Sequence, residues 1–191
     1  MANPGWTRSE SPFHAGELAI QARMGAQEQM DKQGRRVIRE YLPEQHRQFY
    51  AQLPYLIVGT VDTAGNPWAS ILVGKPGFLS SPDEQTLKVT AKSLFGDPLA
   101  TILAPGIDIG FLGIELHTRR RNRINGIVTT NYVDGFEVQV GQSFGNCPKY
   151  IQVRMFELGE LDSVASKPVY QFNKLGEPER NLITMADTFF I

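Results

Sequence analysis

Six β-rich segments separated by turn signals, helix formers gathered toward the N-terminal side, and no strand–helix–strand alternation predict a mainly β protein. The expected architecture is a small antiparallel β-barrel with flanking helices, since closing the sheet removes its exposed edges. The chain has 191 residues, enough for one core of ordinary size. Its 41% hydrophobic and 20% charged residues belong to a globular chain rather than a disordered one. Nineteen Lys and Arg against twenty Asp and Glu leave a net charge of -1, so no overall positive field gathers nucleic acid or an anionic membrane. One cysteine, Cys147, excludes an internal disulfide and a cysteine-rich zinc site, and it suits a reducing compartment, the cytoplasm. No apolar run approaches the ~20 residues of a membrane helix, and the first residues lack the apolar stretch of a signal peptide.

Residues 1–12 mix Pro, Gly, Ser and Asn without periodicity and read as a mobile N-terminal arm. Residues 13–32 are good helix formers, with Leu18, Ala22, Gly25, Ala26 and Gln29 at helical spacing, which predicts one helix packed closely on a small-residue face. A second helix is expected over 43–52, because Pro43 suits a first turn and Pro54 prevents its continuation. The period then changes. Residues 55–61 and 68–73 are β formers flanking the turn cluster DTAGNP, which is a hairpin. Further strands are expected over 86–91, 106–116, 122–133 and 136–142, with a short helix over 98–103 and a hairpin turn at Asp134 and Gly135. Phe136, Val138 and Val140 alternate with Glu137, Gln139 and Gly141, so the last of these strands buries one face. Beyond Tyr150 the pattern weakens, and the chain stops on Phe189, Phe190 and Ile191. That apolar ending is the expectation of a chain cut short, or of a strand whose partner lies elsewhere.

The densest chemical signal is four arginines in five residues, Arg119, Arg120, Arg121 and Arg123. Strand alternation puts Arg119, Arg121, Arg123 and Asn125 on one face and Ile124, Val128 and Tyr132 on the other. If the apolar face is the core, the guanidinium groups point outward. Their planar forks of donors match phosphate oxygens, and their mutual repulsion calls for an anion or facing carboxylates. A solvated basic strand is the plain alternative.

Gly141 to Gly145 matches G-x-S-x-G, but His14, His46 and His117 all precede Ser143, and a nucleophile elbow needs its histidine downstream and a parallel sheet. Ser143 therefore reads as a turn or barrel-rim residue. Three scattered histidines and one cysteine make no metal-ligand pattern, and the expected metal is none. Lys149 stands two residues from Cys147, yet a buried, inert thiol is the commoner outcome.

Four ordered segments, FHAGE with Gln21, PWASILVGKPGF, RRRNRINGI and FGNCPKYI, resemble the pyridoxamine 5′-phosphate oxidase-like, FMN-binding split-barrel family, in its flavin-nucleotide-binding branch. The resemblance spans roughly residues 13–151. It implies a six-stranded antiparallel Greek-key split barrel over 13–158, a C-terminal extension over 159–191, and a homodimer holding one FMN in each of two interfacial clefts. On the matching positions it places Ser70, Ile71, Leu72 and Lys75 along the ring and ribityl chain. Thr90 and Ser93 fall at the phosphate or ribityl end, and Arg121, Asn122 and Arg123 fall where the family brings polar and cationic groups, from either subunit. It names no catalytic residue. The stretch AKSLFGD lacks the second cation of the oxidases' phosphate motif, and their C-terminal Arg and His motif has no counterpart, so vitamin B6 oxidation is not implied. The first functional reading is an FMN-dependent oxidoreductase acting on a small-molecule substrate or an electron donor such as NAD(P)H. A flavin carrier without turnover is the alternative, and a cofactor-free dimeric anion binder is a third.

Overall fold

The structure, a computed structural model, describes residues 5–157, 159 and 168–188. Three helices open the chain: α1 (Ala15–Arg23), α2 (Gln27–Val37) and α3 (Glu44–Ala51). Then come β1 (Tyr55–Val61), β2 (Pro67–Val73), β3 (Leu79–Ser80), β4 (Thr86–Val89) and the single-turn helix α4 (Leu99–Ile102). The strands β5 (Asp108–Glu115), β6 (Arg120–Tyr132) and β7 (Gly135–Gly145) complete the sheet, and α5 (Glu177–Met185) follows. The result is mainly β, as the segment pattern predicts. All seven strands form one antiparallel sheet in the order β2-β1-β5-β6-β7-β4-β3, one strand more than the expected six because the two residues of β3 pair with β4.

Local chemistry explains where elements start and break. His14 caps α1 by accepting from the Gly16 and Glu17 amides, while the Glu17 carboxylate accepts from the His14 amide, a capping box. The single helix expected over 13–32 is two, because Gly25 adopts φ +63 and turns the chain. The small-residue face does not pack closely, since α1 buries none of its residues. Helix α5 has no signal in the weak pattern beyond Tyr150, and it too buries nothing. Phe189, Phe190 and Ile191 lie outside the described residues.

The topology forces the sheet to curl. Its two edges, β2 and β3, are consecutive in the chain and joined only by residues 74–78. A flat sheet of this size would hold its edges about 29 Å apart at the usual strand spacing. The link, even fully extended, reaches only about 20 Å. One core therefore collects side chains from all seven strands, including Val58, Leu72, Leu79, Leu87, Phe111, Ile124 and Val138. Phe111 and Phe136 stack across β6 with ring centroids 6.4 Å apart. Helix α3 adds Phe49 and Tyr50, and Leu53 follows it. These three crowd Gly113, where a Cβ would come within 2.6–2.9 Å of them.

Register irregularities tune which side chains face out. Asn125 pairs Gln142 while Gly126 pairs Val140, so Gly141 is an extra, bulged residue on β7. The facing of the arginines survives this bulge, with Ile124 and Val128 buried and Arg121 and Arg123 on the opposite face. A second shift between Val128 and Thr130 undoes the expected inward position of Tyr132, which is exposed.

Candidate functional site

The seam between the two sheet edges gathers five of the nine residues that the resemblance singles out. Ser70 and Ile71 lie on the edge strand β2, and Lys75 lies in the link after it. Two hydrogen bonds bring the chain after β4 alongside. The Thr90 amide donates to the Phe78 carbonyl at 2.7 Å. The Ser70 hydroxyl donates to Asp97 Oδ1 at 2.6 Å, an oxygen that also accepts from the amide of Leu99, the first residue of α4, at 2.8 Å. Ser93 sits on the stretch held between these ties. The link itself is anchored to the end of α3, with the Gly77 amide donating to the Ala51 carbonyl and the Gly74 amide to the Pro54 carbonyl. Lys75 and Thr90 are exposed, while Ile71 and Ser93 are half-buried.

The other four behave differently. Leu72 is fully buried in the core, which leaves only its main chain for a ligand. Asn122 is also buried, on the inner face of β6. Arg121 and Arg123 lie on the outer face, and β6 stands three strands from β2, so one chain does not bring them to the seam. Among the described residues, no carboxylate forms an ion pair with Arg119, Arg120, Arg121 or Arg123. Arg120 instead lies over the Phe49 ring, 5.1 Å from its centroid. Arg121 Nε is buried without a hydrogen-bond partner.

A groove of about 1170 Å³ runs across the outer sheet face. Cross-strand register builds its floor: Gly59 pairs Gly110, Gly110 pairs Asn125, and Asn125 pairs Gln142. The neighbouring row is Ile57, Leu112 and Arg123. Trp68 and Ala69 of β2 bound one side, and Trp6 and Arg8 also line the groove. Of the nine singled-out residues, only Arg123 lines it. Sequence reasoning sets the first twelve residues aside and so misses Trp6 and Arg8, although the chain's two tryptophans are a usable signal. Asp62 orients Trp68 by accepting from its indole Nε1 at 2.9 Å. That bond, with others from Asn66 and Ala64, holds the Asp62 carboxyl down at about 2.

His46 on α3 is the most perturbed histidine. Burial, reinforced by the nearby Arg39 and Arg120 guanidinium groups, pushes it down to about 4, so it is neutral at ordinary pH. Ser143 is neither turn nor rim. It is fully buried within β7, and its hydroxyl donates to the Tyr41 carbonyl at 2.6 Å, which ties the chain before α3 to the sheet. Cys147 is exposed rather than buried, because β7 ends at Gly145. Among the described residues, no three His, Cys, Asp or Glu side chains gather as metal ligands, and no helix is long and apolar enough to cross a membrane.

No protein-family model matches the chain. No curated protein matches it. Among solved structures, an FMN-binding protein from Syntrophomonas wolfei subsp. wolfei overlays with a TM-score of 0.43 at 13% identity, covering 67% of this chain and 96% of that one. A HupZ variant from Group A Streptococcus gives 0.40 at 14% identity over 55% of this chain and 99% of that one. An F420 reductase gives 0.35 at 12% identity, over 56% and 97%.

Proposed function

We propose that this protein is a flavin-binding oxidoreductase that holds FMN along the seam between β2 and the chain after β4. The observation that supports the reading is that the Ser70–Asp97 and Thr90–Phe78 hydrogen bonds lay the chain after β4 along the stretch that carries Ser70, Ile71 and Lys75. The side chains present fit the cofactor. Lys75 and Thr90 are exposed polar groups, and the β2 edge offers main-chain donors and acceptors to a flat ring system. Ser70 contributes differently from the expectation, because its proton is committed to Asp97 and its oxygen can only accept.

A bound flavin would supply hydride or electron acceptance. The chain's own contribution is orientation and charge. Lys75 sets a positive charge beside the electron-accepting ring, and the Ser70–Asp97 bond keeps the 90–97 stretch against β2. Arg121 and Arg123 reach a phosphate only from a second copy, so the active form is a homodimer. Arginines that no carboxylate pairs among the described residues support this arrangement. The reaction partner is a small molecule or a reduced pyridine nucleotide.

The visible absorption spectrum of purified protein, taken before and after incubation with FMN and desalting, tests the reading. A retained flavin band that NAD(P)H bleaches is expected, and Lys75→Ala should weaken FMN retention. A protein that stays colourless sinks the proposal. Light scattering should return twice the mass of one chain, and a monomer that still retains FMN would remove the role given to Arg121 and Arg123.

A further inference from the structure

We infer that the groove on the outer sheet face is a binding site for a planar aromatic anion, with residues 5–12 built in as one wall. Glycine inside a strand costs about 0.5–1 kcal/mol relative to alanine. Here three strands each place one at the groove, Gly59 on β1, Gly110 on β5 and Gly141 at the β7 bulge. A Cβ on any of them would meet nothing closer than 3.5 Å, so no neighbour in the chain requires a glycine there. The bare backbone they leave is open to close approach by a flat molecule.

The walls match that shape. Trp6 donates its indole N–H to the Glu10 carbonyl and carries the Arg8 guanidinium over its ring, 5.2 Å from the centroid, while Trp68 at the rim donates its own to Asp62. Arg123 supplies a guanidinium that no carboxylate pairs among the described residues, Arg8 adds a second that it shares with Glu40, and Asp108 is the single lining carboxylate. Residues 5–12 are firmly held in this position. The Trp6 amide donates to the Arg35 carbonyl at 2.8 Å, and the Arg35 guanidinium donates to the Arg8 and Ser9 carbonyls at 2.8 and 2.9 Å. Thr7 and Arg8 both bond Glu40, and Gln142 Nε2 donates to the Pro12 carbonyl at 2.8 Å.

Ala69 in the groove and Ile71 at the seam lie two residues apart on the same side of β2, so the groove runs toward the seam. That its occupant is the flavin's reaction partner rests on the function proposed above, whereas the binding itself does not.

The chain's only two tryptophans both line the groove, so intrinsic fluorescence reads its occupancy directly. The desalted full chain is titrated with NADPH, adenosine and inorganic pyrophosphate, with and without FMN loading. Saturable quenching by NADPH is expected, about tenfold tighter than by the ring or the charge alone. Gly110→Leu, which fills the floor, should weaken NADPH about tenfold, and the exposed Arg8→Ala severalfold, with melting temperature and FMN retention unchanged. No saturable quenching, or equal affinity in the wild type and both variants, overturns the site. Quenching in a protein that never retains FMN keeps the groove and removes the flavin reading. FMN retention without quenching does the reverse.

Discussion

His46 shows how one buried side chain sets a pH limit. Its imidazole is neutral in the folded protein down to about 4, but in the unfolded chain it protonates near 6.5. The unfolded state therefore binds more protons between these values, and stability falls as pH drops through that window, by about 3 kcal/mol in all. Below the folded value both states are protonated and the loss levels off. His46→Gln should flatten the melting temperature over that window, and an unchanged slope would assign the acid sensitivity elsewhere. The Ser70–Asp97 bond makes a second prediction. Ser70 is buried, so Ser70→Ala leaves the carboxylate short of a donor and should cost about 1–3 kcal/mol in a denaturant melt, together with weaker FMN retention. Neither role was legible in sequence, because a histidine's burial and a serine's partner 27 residues away depend on packing.

Among the elements, β4 and β7 meet where tolerance is smallest. Gly135 opens β7 directly against the Val89 carbonyl, and a Cβ there would collide with main chain that β4–β7 pairing holds in place. Gly135→Ala should lower stability by about 2 kcal/mol or more, whereas Gly59→Ala, which faces open groove, should be neutral or stabilising. Equal effects at the two positions would contradict the packing. The six long strands were legible because turn residues punctuate them and their period is two. What escaped was aperiodic. Two residues suffice for β3, one glycine at positive φ splits the first helix, and one inserted residue on β6 moves Tyr132 outward.

At the scale of the molecule, a sheet whose edges are joined by a short link must wrap around its core. Leu72 stands at that closure, on an edge strand and fully buried among residues of the other strands. Leu72→Ala should cost about 2–5 kcal/mol in chemical unfolding, as a cavity that the wrapped sheet cannot collapse. A cost below about 1 kcal/mol would mean that the edge is solvated rather than closed. The same wrapping divides the candidate chemistry. Seam residues gather at the closure, while the arginine strand lies three strands from β2 on the outer face, with the glycine floor of β1 and β5 between them.

The sequence by itself determined the six long strands, the antiparallel character and the outward arginine face, because each follows from local period and turn chemistry. Through a resemblance carried by ordered motifs it also marked nine residues for a cofactor, Ser70, Ile71, Leu72, Lys75, Thr90, Ser93, Arg121, Asn122 and Arg123, without separating those near the seam from those away from it. Only the tertiary structure decided that Leu72 is sealed in the core, that Ser70 is committed to Asp97, and that Trp6 and Arg8 line a groove with Trp68 and Arg123. Those outcomes depend on which strands become neighbours when the sheet closes, and neighbours in space carry no trace in local sequence period.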